Sequence, residues 1–176
     1  MNEEHVLSIL SNHIPEQAIG YCLSLWKEKP FKLHTTKSRQ TKIGDFTCKR
    51  GEPVRITVNE DLNPYLFLVT YIHEVAHHYV FQQVGNRVEP HGAYWQQTFA
   101  QLLQPMLTPE IFPDKLFRLL SKHMQQPMAS TFADVDLTKA FREYDHNAHT
   151  HIVLSSLAEG SIFQLNGRTF KKGKLR

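Results

Sequence analysis

Residues 73–77 read His73-Glu74-Val75-Ala76-His77, and they lie in the middle of a stretch, about Pro64 to Val84, that is apolar on nearly every helical face. Asn63 followed by Pro64 is an N-cap and first-turn pair, and Gly85-Asn86 is a C-terminal stop, so the stretch is bounded as one long helix. A helix that is apolar all round is a buried, central helix. Tyr65, Leu66, Phe67, Leu68, Val69, Ile72, Val75, Ala76, Val80 and Phe81 supply that character. Placing two histidines and a glutamate there is costly unless a metal ion or fixed partners satisfy them.

The motif has a mechanism. Residues i and i+4 lie one turn apart on one face, so both imidazoles reach a single ion. The intervening glutamate points near the ion without ligating it and can act as a proton acceptor in zinc-assisted hydrolysis. About 0.04 such matches are expected by chance in a chain this rich in histidine, which has 11 in 176 residues. A catalytic zinc takes three protein ligands and keeps an open position. The third is not six residues beyond the motif, where Gln83 stands. His78 points about 100° away from His77 around the helix. His91, just before the next helical pattern, can close the site, and Glu89 is the rival.

The rest of the chain builds a frame. Val6, Ile9 and Leu10 mark a first helix; Ile19, Leu23 and Trp26, after Pro15 and before Pro30, mark a second. Alternation around Phe31-Leu33-Thr35, Ile43-Phe46-Cys48 and Val54-Ile56-Val58 predicts three short strands. Helices are expected at Ala93–Met106 and, capped by Thr108-Pro109, at Pro109–His123. Beyond Gln125 the pattern weakens to a linker, with a short helix at Leu137–Tyr144. Asn166-Gly167 then predicts a hairpin within Ser161–Lys172. The expected fold class is α+β: a small three-stranded sheet beside the central helix, with flanking helices. The expected divisions are 1–124, a linker and short helix over 125–160, and a basic hairpin-like tail over 161–176.

Composition excludes little else. Nineteen aromatics can fill a core. No apolar stretch approaches the roughly 20 residues that span a bilayer, and the acidic start is unlike a signal peptide. Cys22 and Cys48 cannot build a disulfide framework. A cytoplasmic protein with reduced thiols and no membrane partner is expected. The net charge of +3 permits a nucleic-acid partner without demanding one. Arg168, Lys171, Lys172, Lys174 and Arg176 concentrate positive charge in the tail, either as phosphate contacts or as a solvated hairpin edge. Asp145-His146-Asn147-Ala148-His149-Thr150-His151 is a second histidine cluster, of the kind that is often incidental. Tyr79, Tyr94 and Trp95 stand near the motif, but aromatics at helical spacing are ordinary core.

His73-Glu74-Val75-Ala76-His77 followed by His91-Gly92-Ala93-Tyr94-Trp95 resembles the SprT-like metallopeptidase family, which includes the Spartan proteases. Ile43-Gly44 and Ile56-Thr57-Val58-Asn59 fit its strand before the active helix, and the resemblance covers about residues 15–120. It implies a zincin-like fold, one catalytic Zn2+ on His73, His77 and His91, Glu74 as catalytic base, and a protein or peptide substrate. Relatives of the Spartan type act on proteins crosslinked to DNA, which adds weight to the basic tail. The four-cysteine zinc ribbon of many members is absent, since no cysteine follows Cys48. The competing class is a non-catalytic zincin-like module that binds nucleic acid or a protein partner.

Overall fold

A computed structural model describes residues 2–39, 41–125, 134–146, 154–165 and 167–174, and every structural statement concerns these. They form two compact units, 1–145 and 146–176.

The first unit is a mixed α+β fold. Two helices, α1 (Glu3–His13) and α2 (Glu16–Glu28), open it. Asn2 caps α1 by accepting the His5 amide. α2 buries Ala18, Cys22, Leu25 and Trp26, while Ile19 and Leu23 are only partly covered.

Three strands follow: β1 (Lys32–Thr36), β2 (Gly44–Thr47) and β3 (Arg55–Asn59). Their spatial order is β1-β3-β2, so the last strand in sequence is central. β1 runs parallel to β3 with Leu33 opposite Ile56, and β2 runs antiparallel with Phe46 opposite Ile56. Side chains at paired positions share a face. Leu33 and Ile56 are fully buried there, each contributing roughly 1.5–3 kcal/mol of apolar burial.

The long helix α3 spans Pro64–Val84. The Asn63 side chain accepts the Leu66 amide at 3.0 Å, and Gly85 ends the helix with φ +64. α3 lies against β2 and β3, α1 and α2, and α4 (Ala93–Leu103). That encirclement is why it is apolar all round. His78 is buried among these contacts, its Nε2 3.2 Å from the Lys29 carbonyl and its ring edge-on to Phe31.

A single 3-10 turn over Gln104–Met106 extends α4. The next helix, α5, covers Asp114–His123 rather than starting at Pro109. Pro113 stands at its N-cap, and the Ile111 and Phe112 amides turn back to the Thr108 carbonyl. Both prolines suit a helix start; the tight turn over 108–112 buries Ile111 and Phe112 and so selects the later one. α6 (Val135–Arg142), capped by Asp134, buries Leu137, Ala140 and Phe141 and lies against α5. The first unit runs to Asp145 and takes in this short helix. Among the described residues no helix is long and apolar enough to cross a membrane.

The second unit holds a 3-10 turn (Leu154–Ser156) and the hairpin β4 (Ile162–Leu165) and β5 (Arg168–Lys171). Gly167 has φ +73, the left-handed geometry that a tight hairpin turn requires. Phe163 and Phe170 are cross-strand partners with stacked rings 5.7 Å apart.

Candidate active site

His73 and His77 occupy successive turns of α3, and His91 arrives from the loop before α4. Their Nε2 atoms form a triangle: 3.3 Å between His73 and His77, 3.1 Å between His73 and His91, and 3.0 Å between His77 and His91. Three neutral imidazoles cannot satisfy such a triangle by hydrogen bonding, because donor and acceptor cannot alternate around a ring of three. The chemistry that fits is three lone pairs directed at one cation. In a tetrahedral zinc site with Zn–N bonds of about 2.0–2.1 Å, neighbouring nitrogens lie about 3.3 Å apart, close to the spacing here. Burial favours the neutral, ligating form: it lowers His73 to about 3 and His77 to about 4, helped by the neighbouring histidines, and lowers His91 as well.

These three form the one group of His, Cys, Asp or Glu side chains, among the described residues, close enough to hold a metal ion. Glu89, the other candidate for the third position, is exposed and outside the group. Of the second histidine cluster, His146 is exposed, and His149 and His151 lie outside the described residues.

Trp95 forms the wall behind the triangle. It is 1% exposed, with ring centroids 4.5 Å from His73, 5.3 Å from His77 and 4.7 Å from His91, and it stacks on Phe99 at 4.9 Å. Phe46 covers His77 from the sheet side at 6.2 Å. Tyr94 projects away, 55% exposed, while Tyr79 is buried and donates to Glu28 at 3.0 Å.

Glu74 is 7% exposed and reaches the edge of the sheet. Burial pushes its carboxyl up to about 8, and nearby Asp45 adds to this. Arg39, the backbone amide of Phe46 and Lys42 act the other way. The backbone amide of Phe46, on β2, favours the ionised carboxylate, and two residues earlier the strand has Gly44. A Cβ on Gly44 would meet Glu74 Oε1 at 2.4 Å. Strand β2 is thus a seat for Glu74, a relationship no motif announces. Its available signal is a glycine within a strand, which marks close approach of another group.

Arg39 is fixed on β3, with Nε donating to Asn59 Oδ1 at 2.8 Å and Nη1 to Thr57 Oγ1 at 3.1 Å. Asn59, 1% exposed, returns its amide to the carbonyls of Arg39 and Lys42 at 3.3 Å each. This network shapes the loop that delivers Gly44 to its place.

Comparison with known proteins agrees with the geometry at the level of family. The model of the SprT-like family matches residues 18–116, which include Gly44, the three histidines, Glu74 and Trp95. Searches of curated proteins and of solved structures returned no match. Because the matched segment takes in more than half of the chain, from α2 into α5, this protein belongs to the SprT-like family.

Proposed function

We propose that this chain is a zinc-dependent metallopeptidase that hydrolyses peptide bonds. The observation that carries the reading is the triangle of Nε2 atoms, 3.0–3.3 Å on a side, beside a buried glutamate on the same helix. Membership of the SprT-like family supports it.

His73, His77 and His91 would hold the metal. When bound, it would polarise the scissile carbonyl and make water acidic enough to be deprotonated near neutral pH. Glu74 takes the proton from the attacking water and returns it to the departing amine nitrogen as the C–N bond breaks. Burial makes its carboxylate a stronger base than an exposed one, and a cation held by the adjacent imidazoles would keep it ionised at neutral pH. Its close packing over Gly44 on β2 limits where this carboxylate can move, so little reorientation precedes proton transfer. Trp95 and Phe99 close the back of the site to water.

The test is Glu74→Gln. It should retain zinc and lose peptide hydrolysis; cleavage at the parental rate would sink the mechanism.

The reading extends to proteins associated with DNA. Support comes from β5, where Arg168 and Lys171 flank the exposed Phe170, and from Lys174 just beyond; Arg176 lies outside the described residues. Cationic side chains with an aromatic face suit a nucleic-acid backbone and its bases. Binding of a DNA oligonucleotide should weaken steeply with salt, and affinity independent of salt would remove this extension.

A further inference from the structure

His91 stands at the corner of a tight turn, with a backbone φ of +62, the one positive value among described residues that are not glycine. The Gly92 amide closes the turn on the Glu89 carbonyl at 3.0 Å. Pro90 is therefore at the second position and His91 at the third, the arrangement of a type II turn. The third position demands positive φ and is normally left to glycine or asparagine. A histidine there costs about 1–2 kcal/mol of backbone strain, so something must hold it.

Three features do. Pro90 has its own φ fixed near the value the second position needs. Gly92 lacks a Cβ where one would meet the Glu89 carbonyl at 3.0 Å. Gln96, one turn into α4, donates its side-chain amide to the His91 carbonyl at 3.2 Å and its backbone amide to the Gly92 carbonyl at 3.0 Å. Glu89 and Pro90 are exposed, so the turn is not dictated by core packing. His73 and His77 share one rigid helix, whereas the placing of the third imidazole depends on this turn.

We infer that Pro90 and Gln96 are positioning residues which lock His91 in its strained conformation and thereby set how tightly the three-histidine site holds its metal. A relaxed turn would return His91 to negative φ and swing its imidazole off the triangle. Each metal-free molecule would then have to re-form the turn on binding. The inference rests on the metallopeptidase reading for the presence of a metal, but not for catalysis.

The experiment compares wild type, Pro90→Gly and Gln96→Leu. Zinc affinity is read by competition with a chromophoric chelator, the visible spectrum by substitution with Co2+, and the melting temperature in metal-free protein. Pro90→Gly should weaken zinc binding roughly tenfold and Gln96→Leu by several-fold, because fewer metal-free molecules hold the turn ready. The cobalt bands should lose intensity or shift as the third nitrogen is displaced, with the metal-free melting temperature unchanged in Gln96→Leu and lowered in Pro90→Gly only by the freedom its unfolded chain gains, which does not account for the loss of affinity. Equal affinities and spectra in all three proteins would overturn the inference and leave the metal site standing. Weaker binding explained by an equal loss of metal-free stability would also overturn it, by reducing the turn to a fold element. A wild-type chain that takes up no zinc would overturn both the inference and the reading beneath it.

Discussion

The Glu74 carboxylate fills the space that a side chain at Gly44 would need. A Cβ there would lie 2.4 Å from Glu74 Oε1, 2.7 Å from Thr70 Cγ2 and 2.9 Å from Glu74 Cγ. Thr70 cannot yield easily, because its hydroxyl is tied to the Leu66 carbonyl at 2.7 Å. Gly44→Ala should therefore displace Glu74. With zinc still on the histidines, peptide hydrolysis should fall by about 100-fold, the scale of a misplacement near 1 Å. Zinc content and kcat measured together check this; full activity in the variant would show that the seat on β2 is not needed.

What the sequence reveals of this site follows from the range of the interactions. The bounds of α3 are legible because Asn63, Pro64 and Gly85 act locally, and the pairing of His73 with His77 follows from helical periodicity alone. The third ligand is half legible: Glu89 and His91 are two residues apart, and only the turn around Pro90 decides which one faces inward. The Gly44–Glu74 contact joins residues 30 positions apart, through a sheet whose order, with β3 central, leaves no local trace. The start of α5 is misread because Pro109 and Pro113 obey the same local rule and burial of Ile111 and Phe112 arbitrates.

Removing His91 separates the two candidate third ligands. His91→Ala should weaken zinc binding by more than the roughly 10–100-fold typical of losing a group that only orients a ligand, because a side chain placed to bind the metal itself is lost. Glu89→Ala should leave affinity where it is, since that carboxylate stands outside the converging group. Zinc titration of both variants decides; the opposite order would exchange their roles.

Asn63 couples the start of the active-site helix to the end of α6. Its carbonyl oxygen caps the Leu66 amide, and its Nδ2 donates to the Phe141 carbonyl at 2.9 Å and to Asp145 Oδ1 at 2.7 Å. It is fully buried. Asn63→Ala loses a cap worth ~1 kcal/mol and strands a buried carbonyl, for a total of about 2–4 kcal/mol. Thermal melting should show the loss, with zinc affinity little changed because the histidines lie ten or more residues along α3. Asn63→Asp keeps the cap but sets a second carboxylate against Asp145, so it too should be less stable than wild type. A wild-type melting point in Asn63→Asp would show that the tie to α6 contributes nothing.

In metal-free protein the site residues pull stability in opposite directions as pH changes. Glu74 is raised from 4.5 to about 8, chiefly by burial. Its folded pKa exceeds its unfolded one, so its contribution is fully present below 4.5 and is lost as pH rises through 8. His73 and His77 are lowered from 6.5 to about 3 and about 4, and His91 is lowered too. The unfolded chain takes up their protons first, so their contribution is present above 6.5 and is lost as pH falls toward the folded values. Near pH 6.5 the unfolded histidines still take up protons and offset Glu74, so its component is read as the difference between chelated wild type and Glu74→Gln, which should change with a slope approaching ~1.4 kcal/mol per pH unit near neutrality and flatten toward pH 8. Glu74→Gln, with nothing to ionise, should lack this component, so urea unfolding of the two proteins at pH 6.5, 7.2 and 8.0 should give diverging slopes. Parallel slopes would mean that Glu74 is already ionised in the metal-free fold and that burial does not raise it.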